Sequence, residues 1–141
     1  METQSFADLE MLQAALGHVF SDWVRGLDLR VLEARAGEVT LALPITRAHV
    51  HEGGVVGGAT LMAAADTALV LAVMTKLGGF KPMSTVQLQT SFLRPIAGSS
   101  GVARVVARVL RMGNKLVFGE VQVINADDEL AAHATATLAL L

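Results

Sequence analysis

The 141-residue chain has no cysteine, no tyrosine, a single tryptophan and only three prolines. Without cysteine there is no disulfide, no thiolate-bound zinc and no cysteine nucleophile. Aromatic residues make up 4% of the chain, too few for the stacking platforms of single-strand nucleic-acid binders. Charge is sparse as well, at 17% of residues with a formal net charge of -2, and no segment concentrates Lys and Arg. No nucleic-acid partner is therefore expected. The N-terminus METQSFADLE has no basic leader region and carries Glu2, Asp8 and Glu10, unlike a secretory signal. A cysteine-free chain of this kind is expected in the cytoplasm.

What the chain has in quantity is apolar side chains, 52% of the total. That excludes global disorder. It also offers more apolar surface than one small domain readily hides, so a homo-oligomer is expected. The length suits a single domain over residues 1–141. Residues 1–26 read as an N-terminal helical region and 27–141 as the core.

Ser5 is placed to cap a first helix, with Leu9, Leu12, Leu16, Val19 and Phe20 at helical spacing and Trp23 one turn on. Gly26 ends that region. Two strands follow, 27–36 and 38–43, the second alternating Val39, Leu41 and Leu43 against Glu38 and Thr40, with Pro44 as its stop. A long apolar helix begins near Gly57 or Gly58 and ends near Lys76, with Gly78 and Gly79 as its stop signal. Residues 55–75 have the length of a membrane span, but Asp66 in the middle would cost about 2.5–3.5 kcal/mol there. A helix enclosed by protein is the better reading, without a membrane partner.

Strand patterns fill the remainder. Val86, Leu88, Thr90 and Phe92 share one face, and Ala103, Val105, Ala107 and Val109 another. Gly113-Asn114 reads as a two-residue hairpin turn between Met112 and Lys115. Val117, Val121 and Val123 alternate with Glu120 and Gln122, and Leu130, Ala132, Ala134, Ala136 and Leu138 alternate with His133, Thr135 and Thr137. Four strands joined by short turns predict an antiparallel meander curled around the apolar helix.

Asp66 is the only ionisable residue between Glu52 and Lys76, on a helix of Ala, Leu, Val and Met. A lone carboxylate in such surroundings needs a partner or a task. Gly53, Gly54, Gly57 and Gly58 lead into the helix, where free N–H groups and the positive end of the dipole favour a developing oxyanion. The competing reading is a tight turn needing glycine for its backbone angles. Gly58 and Asp66 are eight residues apart, about 12 Å along the helix. Both touch one carbonyl only if they come from two chains, with the helices antiparallel across a two-fold axis. His49 and His51 form an H-x-H pair with no convincing third ligand, so no metal is expected. His51 precedes the glycine loop and is a candidate hydrogen-bond donor to a substrate carbonyl. There is no G-x-S-x-G elbow, P-loop or G-x-G-x-x-G.

The segments HEGGVVGGATLMAAADTA, STVQLQTSFLRP, VLRMGNKLVFGEVQV and HATATLAL resemble the hot-dog thioesterases of the phenylacetate-degradation type, over roughly residues 27–141. The resemblance implies an α+β hot-dog fold: a five- or six-stranded antiparallel sheet around one long helix, here with an added N-terminal helix. It implies hydrolysis of an aryl- or short/medium-chain acyl-CoA without metal or cofactor, by homodimers that join sheets edge to edge and often pair into homotetramers. The family's acid falls at Asp66, its carbonyl-polarising glycine at Gly58, its usual Asn at His51 and its small hydroxyl residue at Thr85. Where many members read His-Gly-Gly, this chain has Gly57, Gly58 and Ala59. Asp66 is then a general base on water or a direct nucleophile. Gly54 and Gly57 would border the substrate, and Arg94, Arg111 and Lys115 are candidates for the CoA phosphates. A non-catalytic acyl-CoA-binding dimer and an acyl-thioester hydratase are the alternatives.

Overall fold

The computed structural model describes residues 6–141, with side chains from Leu9 onward. The cap expected at Ser5 lies outside the described residues. The elements are α1 (Phe6–His18), α2 (Asp22–Arg25), β1 (Arg30–Arg35), β2 (Glu38–Pro44), α3 (Gly58–Leu77), β3 (Met83–Phe92), β4 (Val102–Met112), β5 (Leu116–Ile124) and β6 (Leu130–Leu140). The strands form one antiparallel six-stranded sheet in the order β1-β2-β4-β5-β6-β3. It wraps α3, as the hot-dog fold requires.

Three expectations are corrected. First, β3 does not pair with its sequence neighbour β4; it lies beside β6 and forms a free edge. The link 93–101, with Pro95, Gly98 and Gly101, is a crossover and not a hairpin turn. The N–H groups of Leu93 and Arg94 both donate to Ala131 C=O at the start of β6 (2.8 and 3.0 Å), which steers the chain there. Only β4, β5 and β6 make a meander. Second, Trp23 does not continue the first helix. Ser21 starts a new one by accepting the Val24 N–H on its hydroxyl at 3.4 Å, and Trp23 is left 61% exposed. Leu12 and Leu16 are buried as their spacing predicts. Third, Gly113 N–H donates to Leu116 C=O at 2.8 Å, so the β4–β5 hairpin tip is Asn114 and Lys115.

α3 ends at Gly78, which adopts the left-handed conformation (φ 81°) and donates its N–H to Met74 C=O. By length and composition α3 could cross a membrane, but 61% of its most apolar window is buried inside this fold. From Ala64 to Met74 every side chain except Asp66 is buried. The facing side chains Val39, Leu41, Val105, Ala107, Val121 and Leu138 are buried to within 1% of completely. The helix presses hardest at Gly119 of β5, where a Cβ would stand 2.3 Å from Leu69 Cδ1.

The opposite sheet face carries the polar partners of the alternation. Glu120 accepts from Arg108, and His133 Nε2 lies 3.2 Å from the other Glu120 oxygen. The hydrogen bond from Arg108, then that from His133, holds the Glu120 carboxyl below its ordinary range.

Two outcomes are expected. Gly119→Ala overpacks the core against Leu69 and should cost about 1–3 kcal/mol in urea unfolding. A carboxylate with a depressed folded pKa contributes stability above its ordinary range and loses it as pH falls through the depressed value. The stability difference between wild type and Glu120→Gln should therefore be larger at about pH 5–7 than below about pH 4.

Candidate active site

The entrance to α3 is built by a short loop stitched on both sides. Val50 and Val56 form an antiparallel bridge, His51 N–H donates to Val55 C=O at 3.1 Å, and Gly54 N–H donates back to His51 C=O at 2.9 Å. Gly54 has φ 81°, a left-handed conformation that suits glycine. The other side is tied to the 93–101 link: Val56 N–H donates to Ile96 C=O and Gly98 N–H to Gly54 C=O, both at 2.9 Å. Gly57 N–H donates to His49 C=O at 3.0 Å.

Gly57 is the N-cap residue of α3 and supplies no side-chain cap. Its carbonyl accepts from Thr60 and Leu61. Gly58 and Ala59 come before any carbonyl of their own helix that could accept from them, so their N–H groups face outward. Gly58 does not have positive φ, so backbone conformation does not demand glycine there. Space is tight there: a Cβ on Gly58 would stand 3.1 Å from Phe92 Cζ, so the half-exposed ring would have to yield by a few tenths of an ångström.

Beside this N-terminus is a cleft of about 340 Å³ lined by Val55, Val56, Gly58, Leu61, Phe92, Leu93, Arg94, Pro95 and Ile96. Arg94 is its one charged residue. A second cleft of about 300 Å³ adjoins it through Arg94, Pro95 and Ile96 and reaches Ser100, Asn125 and Asp127. A slightly larger cleft, about 380 Å³, lies between α1, β1 and β2 and holds none of the expected site residues.

Asp66 sits on the half-open stripe of α3 formed by Ala59, Met62, Ala63 and Asp66, one side of the N-terminal part of the helix. It is half-buried, so the expected enclosure of the helix is incomplete here. Thr85 Oγ donates to Asp66 Oδ1 at 2.6 Å, across from β3 to α3. That leaves Oδ2 free of this bond. Thr85 reaches the helix face because it pairs with Leu138, whose side chain is buried against the core. A bulge at Val86 then shifts the strand register between Thr85 and Gln87.

His51 is exposed, and its Nδ1 accepts the Gly53 N–H at 2.9 Å. A neutral His51 therefore carries its proton on Nε2, which is a free donor. His49 points elsewhere: it is 8% exposed, with Nδ1 buried and without a hydrogen-bond partner.

The expected residues thus form two groups. Gly54, Gly57, Gly58, His51 and Arg94 gather at the α3 N-terminus. Asp66 and Thr85 lie two helical turns away. Arg111 and Lys115 belong to neither. Phe92 packs beside Gly58 and Thr85 beside Asp66, so β3 runs antiparallel to α3. The β4–β5 hairpin meets β6 near Leu140, which pairs with Met83 at the start of β3, beyond Thr85 and away from Gly58. Arg94 is not free either, since its Nε lies 3.5 Å from Glu129. Phe92 and Glu129 are neighbours of the site that sequence reasoning missed. Phe92 was legible only as one apolar position in an alternating strand.

The thioesterase superfamily model matches residues 53–132, the segment that contains the glycine loop, α3 and most of the sheet. The chain belongs to the thioesterase superfamily. A curated relative from Thermoplasma volcanium, "Putative esterase TV1331", is 32% identical over 72% of this chain and 74% of its own length. The PaaI protein of the Escherichia coli phenylacetic acid degradation operon superposes with a TM-score of 0.80 at 16% identity, covering 97% of this chain and 96% of that one. A hypothetical thioesterase of Streptococcus pneumoniae, solved with coenzyme A, superposes at 0.74 with 17% identity, covering 80% of this chain and 85% of that one. At such identities these two structures speak for the fold.

Thr85→Val removes the donor to Asp66 while keeping the side-chain volume. It should lower stability by about 0.5–1.5 kcal/mol in urea unfolding, toward the low end because both groups reach solvent.

Proposed function

We propose that the protein is an acyl-CoA thioesterase whose catalytic carboxylate is Asp66. The observation that carries this reading is a carboxylate on an otherwise apolar helix, pinned through one oxygen by Thr85 at 2.6 Å, in a chain of the thioesterase superfamily. The cofactor-free, phenylacetate-type thioesterase is the member of that family we favour.

The proposed site is shared between two subunits. Gly58 and Asp66 are too far apart on one helix to meet a single carbonyl. The open stripe centred on Met62 adjoins the edge strand β3 through the bond from Thr85 to Asp66. Antiparallel pairing about an axis near Met62 sets Gly58 against Asp66 of the partner subunit. The same axis sets Phe92 across the β3 edge from Thr85 of the partner subunit. It also carries the partner's Arg111 and Lys115 to the side on which Gly58 lies, where CoA phosphates would be held with Arg94. Exposed Leu110 and Phe118 on the outer sheet face leave apolar surface for pairing dimers into a tetramer. We assign the reaction to the cytoplasm.

In the reaction, the thioester carbonyl oxygen accepts the Gly58 N–H, assisted by His51 Nε2–H, at the positive end of α3. Gly54 and Gly57 keep the approach open. Asp66 takes a proton from water as the water oxygen bonds to the carbonyl carbon. The C–S bond then breaks, the thiolate leaves with a proton, and the free acid and CoA are released. Direct attack by Asp66 gives a mixed anhydride whose hydrolysis yields the same products.

The test is free-thiol release from a panel of acyl-CoAs. Asp66→Asn should fold and lose at least about 100-fold in kcat. Gly58→Pro removes the N–H at a helix position that accepts proline, and its ring also displaces the half-exposed Phe92 ring. Each variant alone should be inactive, and an equal mixture, unfolded and refolded together, should recover about a quarter of wild-type activity through mixed dimers. Retention of the thioester by the wild type would point to the binding protein instead. Loss of a double-bond signal with the thioester intact would point to the hydratase.

A further inference from the structure

We infer that Phe92 is a specificity-determining residue that rejects acyl groups branched at the carbon next to the thioester carbonyl. The inference rests on the thioesterase reading and adds a selectivity to it.

Gly58 is glycine at a position where its own backbone does not require glycine. What occupies the missing side chain's place is the tip of the Phe92 ring: Cζ, Cε1 and Cε2 lie 3.1, 3.3 and 3.5 Å from where a Cβ would be. Phe92 is an interior-face residue of β3 by its pairing with buried Ala132, yet it is 51% exposed in the single chain. Its ring is thus half engaged, with the tip on the backbone of Gly58 and the rest turned toward the apolar cleft it lines. A large aromatic ring in that state is a wall of the cleft more than a member of the core.

The position of this wall has a chemical consequence. A carbonyl oxygen accepting the Gly58 N–H must sit close to that ring tip. The carbon bonded to the carbonyl on the acyl side is then the next atom to pass between Phe92 and the other lining residues, Leu61 and Ile96 among them. A CH₂ at this carbon presents only hydrogens to the ring. A methyl branch demands the volume the ring occupies, and the ring tip already stands against Gly58. The favoured substrates are therefore thioesters with an unbranched carbon beside the carbonyl, whatever stands further along the acyl group.

The experiment compares kcat/KM for butyryl-CoA with isobutyryl-CoA, and for phenylacetyl-CoA with 2-phenylpropionyl-CoA, in wild type, Phe92→Leu and Phe92→Ala. Wild type should prefer the unbranched member of each pair by about 10- to 100-fold. Phe92→Ala should cut that preference at least about 5-fold, with kcat/KM for the branched member rising in absolute terms, and Phe92→Leu should fall between. A ratio taken within one sample does not depend on how much protein is folded or assembled, so a merely structural role for Phe92 would leave it unmoved. Equal preference in all three proteins, or no preference in the wild type, would overturn the proposal while leaving the thioesterase standing. Absence of thiol release from every substrate by the wild type would overturn both.

Discussion

The contact on which the rest of the fold depends is the approach of α3 to the sheet at Gly119. Leu69 fills the space where any other residue of β5 would put a side chain. Small residues continue this seat on either side, with Ala107 on β4 and Ala134 and Ala136 on β6, all buried. A helix made almost wholly of Ala, Leu, Val and Met has no polar face to give to water. It is stable only if a sheet curves round it closely, and a sheet does so only where its inner face is small in the middle. Once α3 is seated, the position of its N-terminus, of Asp66 and of the strand that flanks them follows.

The seated helix is not covered evenly. It is enclosed from Ala68 to Met74, while Met62, Ala63 and Asp66 are half-buried and Ala59 exposed on one side. The open stripe lies beside an edge strand of the sheet, β3. In the proposed reading chemistry and assembly share a surface: the side of the helix that keeps Asp66 accessible is the side left uncovered in the single chain. Thr85 bridges the two elements at the middle of this surface and fixes one oxygen of the carboxylate.

Much of this was legible in the sequence where the signal is local. The extent of α3, its left-handed Gly78 stop, and the burial of Val39, Leu41, Leu43, Val105, Val121 and Leu138 all follow from period and punctuation. Asp66 stood out because one charge in an apolar run is conspicuous. The partner of β3 was not legible, because strand pairing across a crossover is decided by long-range contacts such as those to Ala131 C=O. Trp23 falls outside the first helix because Ser21 caps a new one, a signal that helical spacing alone does not weigh. Thr85 came only from the family resemblance, and the proximity of Phe92 to Gly58 came only from the structure. Both are contacts between elements that no periodicity encodes.

The free edge of β3 has a significance apart from the proposed site. Its ten residues, Met83–Phe92, include no Lys, Arg, Asp, Glu or Pro, the residues by which exposed strand edges commonly avoid one another. Val86 and Phe92 are exposed on it. An uncharged edge of this length is a template for any extended chain it meets. Solubility is therefore a constraint on this strand in addition to its place beside Asp66. A substitution that loosens its pairing exposes a nucleus for aggregation, and a charge that would protect the edge spoils the surface on which the site is built.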